Sequence, residues 1–274
     1  MTALEMQEKI QKFLETEFER ELFTASIGYL ENDRDPLRFN SFAYSLRELI
    51  RNIFSRKAPD DVVKSCTWYK NETENDKPSR RQRYLYCVQG GLTNEFVHTE
   101  LALDVLEPWK EIKGAIDALS KFTHVSKGTF NLAEADYSPL VYEALSKLLV
   151  IFDMVDSTRF EIYRALESHI DRVIVDTLLS NTFSEIDLLS NNSFVEYSEV
   201  IDLELADIDS KIISFSGTGL VQISQNYSKH DDHVELVEDY PFQFKGHSPV
   251  EEPYRISISP QDVEIDTSSW YGEE

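Results

Sequence analysis

Nowhere in the 274 residues is there a run of about 18 consecutive apolar side chains, so the sequence offers no membrane-spanning helix. The first residues, MTALEMQEKIQKFLETEFEREL, are charged and lack the apolar stretch of an export signal, and there are only two cysteines, Cys66 and Cys87. Two thiols without an export signal is the usage of a reducing compartment, so both are expected to be buried apolar thiols in a cytoplasmic protein with no membrane partner. A Gly-rich phosphate loop, a Ser nucleophile elbow, a His-Glu-x-x-His zinc pair and paired CxxC motifs are all missing. Those absences remove many enzyme classes, and no cofactor is expected. No internal repeat of fixed period and no low-complexity linker divides the chain.

Positive charge is also scarce. The chain carries 27 Lys and Arg against 50 Asp and Glu, a formal net charge of −23. The deficit is uneven: residues 181–274 hold 4 basic against 20 acidic side chains (−16), and residues 1–180 hold 23 against 30 (−7). Within the latter, residues 38–88 reverse the sign, with 11 basic against 6 acidic side chains, a local +5. The acidic mass repels phosphate backbones at long range, which disfavours sequence-independent binding to nucleic acid. Any contact with a polyanion belongs in that one basic segment.

Hydrophobic periodicity places the elements. Ile10, Phe13, Leu14, Phe18 and Leu22 share a helical face, and Phe39, Phe42, Leu46, Leu49, Ile50, Ile53 and Phe54 repeat the pattern after the turn ENDRDP. The second helix should stop before Ala58-Pro59, because proline cannot continue it. KNETENDKPSRRQR reads as an exposed loop leading into a further helix that Gly90-Gly91 interrupts. Val105, Trp109, Ile112, Ile116 and Leu119 form an amphipathic helix with Pro108 in its first turn, and two apolar-periodic segments follow between Pro139 and about Leu179. Roughly five to seven helices would complete an all-α bundle, an HEPN-like one among the options. Near Asn191-Asn192 the period changes to two, as in Ile201-Leu203-Leu205, Val221-Ile223 and Phe242-Phe244. Six or seven short strands would make an antiparallel sandwich or barrel. The expected class is therefore α+β, with a helical domain over 1–190 and an acidic β-rich domain over 191–274.

Few side chains point to chemistry. His230-Asp231-Asp232-His233 has imidazole and carboxylate donors, but a polar loop between strands accounts for it equally, and no metal site is assigned. His124, after the helix ending in LSKFTHV, either caps that helix or serves as a general acid or base with Lys121 as a phosphate contact. Arg164 and His169 have the Arg-x4-His spacing of metal-independent HEPN ribonucleases, a short pattern that a solvated helical face also produces. The basic cluster is richer. Arg47 and Arg51 lie four apart on one helix, and Arg80, Arg81 and Arg83 open another, with Trp68 and Tyr69 upstream. Guanidinium groups suit bidentate phosphate contacts and exposed aromatics stack on unpaired bases. The same arginines could instead meet the acidic C-terminal domain within the molecule.

The succession SFAYSLRELIRNIF, APDDVVKSCTWY, SRRQRYLYCVQGGL, AIDALSKFTHV and EIDTSSWYG resembles the bacterial predicted pPIWI-associating nucleases over nearly the whole chain. The resemblance implies a role in prokaryotic defence against phage or plasmid DNA, beside or independent of an Argonaute-like protein. It carries the family's motif positions onto Arg47, Arg51, Trp68, Arg80, Arg81, Arg83, Gln89, Gly90, Gly91, Lys121 and His124. Two readings follow. In the first the chain is a metal-independent nuclease directed at RNA more than DNA, with His124 moving the proton and Arg47, Arg51 and Lys121 holding the scissile phosphate, while Arg80, Arg81, Arg83, Trp68 and Tyr69 bind the strand. In the second it is a non-enzymatic acidic subunit of a defence or Argonaute-like complex. By analogy with HEPN-type domains, a homodimer is expected in the first.

Overall fold

The structure, a computed structural model, describes residues 1–180, Ile186, 193–229 and 232–271. The chain divides into a helical unit of Met1–Ser65, Tyr69–Gln89 and Asn94–Glu161 and a sheet unit of Cys66–Trp68, Gly90–Thr93 and Ile162–Glu274. This division differs from the 1–190 and 191–274 split, which followed the change of hydrophobic period. Eight helices are present among the described residues: α1 (Ala3–Phe13), α2 (Glu17–Leu30), α3 (Arg38–Lys57), α4 (Asp60–Ser65), α5 (Arg80–Gln89), α6 (Asn94–Thr99), α7 (Leu106–Phe122) and α8 (Glu134–Ser180). Among the described residues no helix is long and apolar enough to cross a membrane.

In the helical unit α3 is central, packing against α2, α5 and α7. Phe42, Leu46, Leu49 and Ile53 recur at helical spacing and are buried, and the helix stops at Lys57, immediately before Ala58-Pro59. Phe39 meets Phe122 of α7 edge-on at 5.5 Å. The apolar face read across residues 10–22 is broken into α1 and α2, because Thr16 and Glu19 form a capping box that starts a new helix. Glu19 is fully buried, yet ionised and satisfied: Arg56 Nε donates to it at 2.7 Å, and the N–H groups of Glu15 and Thr16 donate at 3.0 and 3.2 Å. Burial alone would raise its pKa; the bonds from Arg56 and the two backbone donors outweigh it and hold the carboxyl below its ordinary value.

The sheet unit carries an antiparallel meander in the order β1 (Ser193–Ile208), β2 (Ile212–Lys229), β3 (Asp232–Pro249), β4 (Val263–Ile265). Among the described residues these strands are fewer than the six or seven expected, and β1, β2 and β3 are longer, since residues read as turns lie inside them. Gly217 stands opposite Phe244 and Gly219 opposite Phe242, and a Cβ on either glycine would come within 2.6 Å of the facing ring. Glycine here makes room for aromatic rings on neighbouring strands rather than ending a strand. Pro241 is likewise inside β3, with its carbonyl accepting from the Asp266 N–H at 2.9 Å.

The Gly90-Gly91 pair also belongs to this unit. Gly90 has a φ of 57°, and a Cβ there would stand 2.2 Å from the Ile208 carbonyl oxygen. The Gly91 N–H donates to Asp209 O at 2.8 Å, and Trp68 Nε1 donates to Gly90 O at 3.0 Å. Gly90, Gly91 and Trp68 thus seat the end of β1 and the turn after it.

Candidate functional site

An open cleft of about 400 Å³ in the helical unit gathers five of the 11 basic side chains of residues 38–88. One turn of α3 brings Arg47 and Arg51 to its wall, and Ile50, Phe54, Ile116 and Leu119 give it an apolar floor. Lys77, Arg80 and Arg83, from the loop before α5 and from α5 itself, also line it, and Asp60 is the one acid in the lining.

The start of α5 is fixed by a reciprocal cap. The Ser79 N–H donates to Gln82 Oε1 at 2.9 Å and the Gln82 N–H donates to Ser79 Oγ at 3.2 Å. The buried Gln82 amide then reaches back to Lys70 O at 2.5 Å, tying down the loop ahead of the helix. This cap places Arg80 and Arg81 in a first turn that holds no acid, where the helix dipole disfavours cations by roughly 0.3–1 kcal/mol each. Cations held against that field and backbone N–H groups at the same end make an environment that an anion would relieve.

The cations fall into two groups. Arg83 is locked, donating to the Asp60 carboxylate and to Ala58 O, and its hydrogen bond is the main reason the Asp60 carboxyl lies below its ordinary value. Arg81 is paired with Glu72 at 2.7 Å, and the exposed Arg51 lies 3.4 Å from Glu48. Arg47, Lys77 and Arg80 have no ion-pair partner among the described residues. The ion-pair partners of Arg51, Arg81 and Arg83 are acids of the helical unit itself.

The remaining expected site residues lie elsewhere. Lys121 and His124 are both exposed at and beyond the end of α7, and neither lines the cleft. The carbonyls at the end of α7 are capped by Asn40 of α3, whose Nδ2 donates to those of Phe122 and His124 at 3.0 and 3.3 Å. Trp68 is in the sheet unit, and Tyr69 is half-buried with its hydroxyl turned inward. Arg164 is exposed on α8, while the side chain of His169 lies outside the described residues, as do His230 and Asp231. Among the described residues no three His, Cys, Asp or Glu side chains form a metal-binding group. Burial pushes the thiols of Cys66 and Cys87 up to about 12, so both stay protonated and unreactive.

Sequence reasoning missed Lys77, Trp109 and Lys113. A second recess of about 390 Å³ shares Arg80 and Ile116 with the cleft and adds Arg81, Trp109 and Lys113. The visible signal was the spacing on α7: Trp109, Lys113 and Ile116 are four and three apart, one stripe.

Two family models match the sequence, over residues 11–148 and 155–271, and both describe a predicted pPIWI-associating nuclease. Comparison with curated proteins and with solved structures returns no match.

Proposed function

The chain belongs to the predicted pPIWI-associating nuclease family, and on that premise we propose that the cleft of the helical unit holds the phosphate backbone of a nucleic acid, RNA before DNA, for cleavage. The observation that carries this is the collection of five cations against one acid in a single open recess of a molecule whose net charge is −23. Polyanions are repelled by the chain as a whole, so a recess of this sign is a favoured place for a phosphate strand to settle. Its apolar floor lowers the local dielectric and strengthens each contact to phosphate.

Cleavage in this reading is metal-independent. The imidazole of His124 accepts the proton of a ribose 2′-hydroxyl, the freed 2′-oxygen attacks the adjacent phosphorus, and the bond to the 5′-oxygen breaks, leaving a 2′,3′-cyclic phosphate and a 5′-hydroxyl end once that oxygen takes a proton from water. Leu119 lines the cleft, α7 ends three residues further on at Phe122, roughly 4.5 Å along its axis at 1.5 Å per residue, and His124 follows two residues beyond that end. A strand leaving the cleft past Lys121 therefore reaches His124 within a nucleotide or two. Arg47 and Arg51 hold the phosphates of the strand within the cleft, and Lys121, three residues before His124, neutralises the charge that develops on the scissile phosphate. In the cell the activity would serve defence against invading nucleic acid, with an Argonaute-like protein as partner and a homodimer as the active assembly.

The test is incubation of the purified protein with end-labelled RNA and with single- and double-stranded DNA, in EDTA and in Mg²⁺. RNA cut in EDTA to cyclic-phosphate ends is expected, with His124→Ala slower by roughly 10²- to 10⁴-fold and its fold and RNA affinity unchanged. Binding without cleavage in any buffer would leave the cleft a binding site and move the chain to the accessory-subunit reading. Neither binding nor cleavage would end the proposal.

A further inference from the structure

The recess beside the cleft bears on which nucleic acid is taken. Trp109 stands in the first turns of α7, half-buried, with its ring against Tyr84 at a centroid distance of 5.5 Å and an interplanar angle of 28°. Tyr84 is completely buried and its hydroxyl donates to Val105 O at 3.1 Å, so the ring behind Trp109 is immobile. The half-buried indole is thus stacked against Tyr84 and lines an open recess. Arg80, Arg81 and Lys113 surround it; the acids of the lining are Glu72, taken up by Arg81 and Ser79 at 2.7 and 2.9 Å, and the exposed Asp117.

Arg80 belongs to both recesses, and Ile116, seven residues beyond Trp109 on the same helical stripe, belongs to both as well. Trp109 is therefore about 10 Å along α7 from the apolar floor of the phosphate cleft, the reach of one or two nucleotides. A rigid aromatic at that distance from a row of phosphate-binding cations is the arrangement by which proteins hold single strands, one base on the ring and the backbone along the charges. A duplex has no unpaired base face to offer to such a ring.

We propose that Trp109 is a base-stacking platform that makes the site selective for single-stranded or unpaired nucleic acid. This rests on the cleft binding phosphates, and it adds a base contact that phosphates alone do not explain. The experiment compares four ligands of equal length by fluorescence anisotropy: a labelled single-stranded RNA, the same RNA as a duplex, the corresponding single-stranded DNA, and a strand with abasic linkers in place of its bases. Wild-type protein, Trp109→Leu and Trp109→Phe are measured, with thermal unfolding of each as the control. Wild type should prefer the single strands to the duplex and to the abasic strand, and Trp109→Leu should lose roughly 5- to 100-fold on single strands while leaving the abasic strand unchanged. Trp109→Phe, which keeps an aromatic face on Tyr84, should restore most of the loss. Equal binding of abasic and base-bearing strands, with no effect of Trp109→Leu, overturns the platform and leaves the phosphate cleft standing. A Trp109→Leu loss that is equal on all four ligands overturns it too, as does a failure of any ligand to bind, which removes the underlying reading as well.

Discussion

Two recesses of nearly equal size, about 400 Å³ in the helical unit and about 380 Å³ on the sheet, carry opposite charge. The first is lined by Arg47, Arg51, Lys77, Arg80 and Arg83 with Asp60. The second is lined by Asp202, Glu204, Asp262 and Glu264 with Lys245. Each thus has a single counter-charge among several of the other sign. The difference shows that the acidity of the chain is sorted rather than spread: the field that disfavours an anion in one recess favours it in the other. The composition of the whole chain, at −23, conceals this.

Charge reversal breaks the contrast most directly. Arg47→Glu with Arg80→Glu should lower RNA affinity by more than about 100-fold, while Glu264→Gln in the acidic recess leaves it within about twofold; anisotropy titrations at fixed salt read both. Equal losses from the two recesses would mean that only net charge matters.

The next effect is on folding and is confined to the helical unit. Arg56→Ala leaves the buried Glu19 carboxylate with its backbone donors alone and should destabilise by roughly 3 kcal/mol, read by chemical denaturation. The carboxyls of Glu15, Glu19 and Asp60 all lie below their ordinary values in the folded protein. A depressed folded pKa gives stability that is complete above the unfolded value and is lost as pH falls through the folded one, so the wild type should weaken below about pH 4.5, the ordinary value for glutamate. In Arg56→Ala that acid dependence should be shallower.

A smaller change sharpens the contrast from the side of the sheet. Gly219→Val drives a branched side chain into the Phe242 ring and the Glu199 carbonyl and should cost about 2 kcal/mol in stability, without altering the RNA affinity of the protein that remains folded.

How much of this could be read from the sequence varies with how local the cause is. Arg47 and Arg51 on one helix, the stop before Ala58-Pro59 and the helix opening at Arg80 follow from spacing within a few residues, and they appear where spacing puts them. The Thr16-x-x-Glu19 cap was equally local but was outweighed by the apolar period running through residues 10–22, and Ser79-x-x-Gln82 lay in the stretch read as an exposed loop leading into a helix. Strand count was misread at Gly217, Gly219 and Pro241, because the rings that require those glycines and the Asp266 N–H that meets the Pro241 carbonyl come from other strands. Trp68 was read as a stacking residue for want of its partner, the Gly90 carbonyl 22 residues away. Trp109 was seen only as an amphipathic-helix position, since the recess around it draws Arg80 and Arg81 from a different helix. Asn40, 84 residues from the His124 carbonyl it caps, shows the same limit.

The salt dependence of binding tests the central claim most directly. The affinity for a labelled single-stranded RNA is measured from 50 to 300 mM salt for wild type and for the triple variant Arg47→Ala, Lys77→Ala, Arg80→Ala. Three phosphate contacts on a single strand correspond to a log–log slope of about −2, so the wild type should fall at least that steeply and the variant should bind weakly with a slope about 2 nearer to zero. Identical slopes in the two proteins would place the phosphate contacts elsewhere and contradict the account.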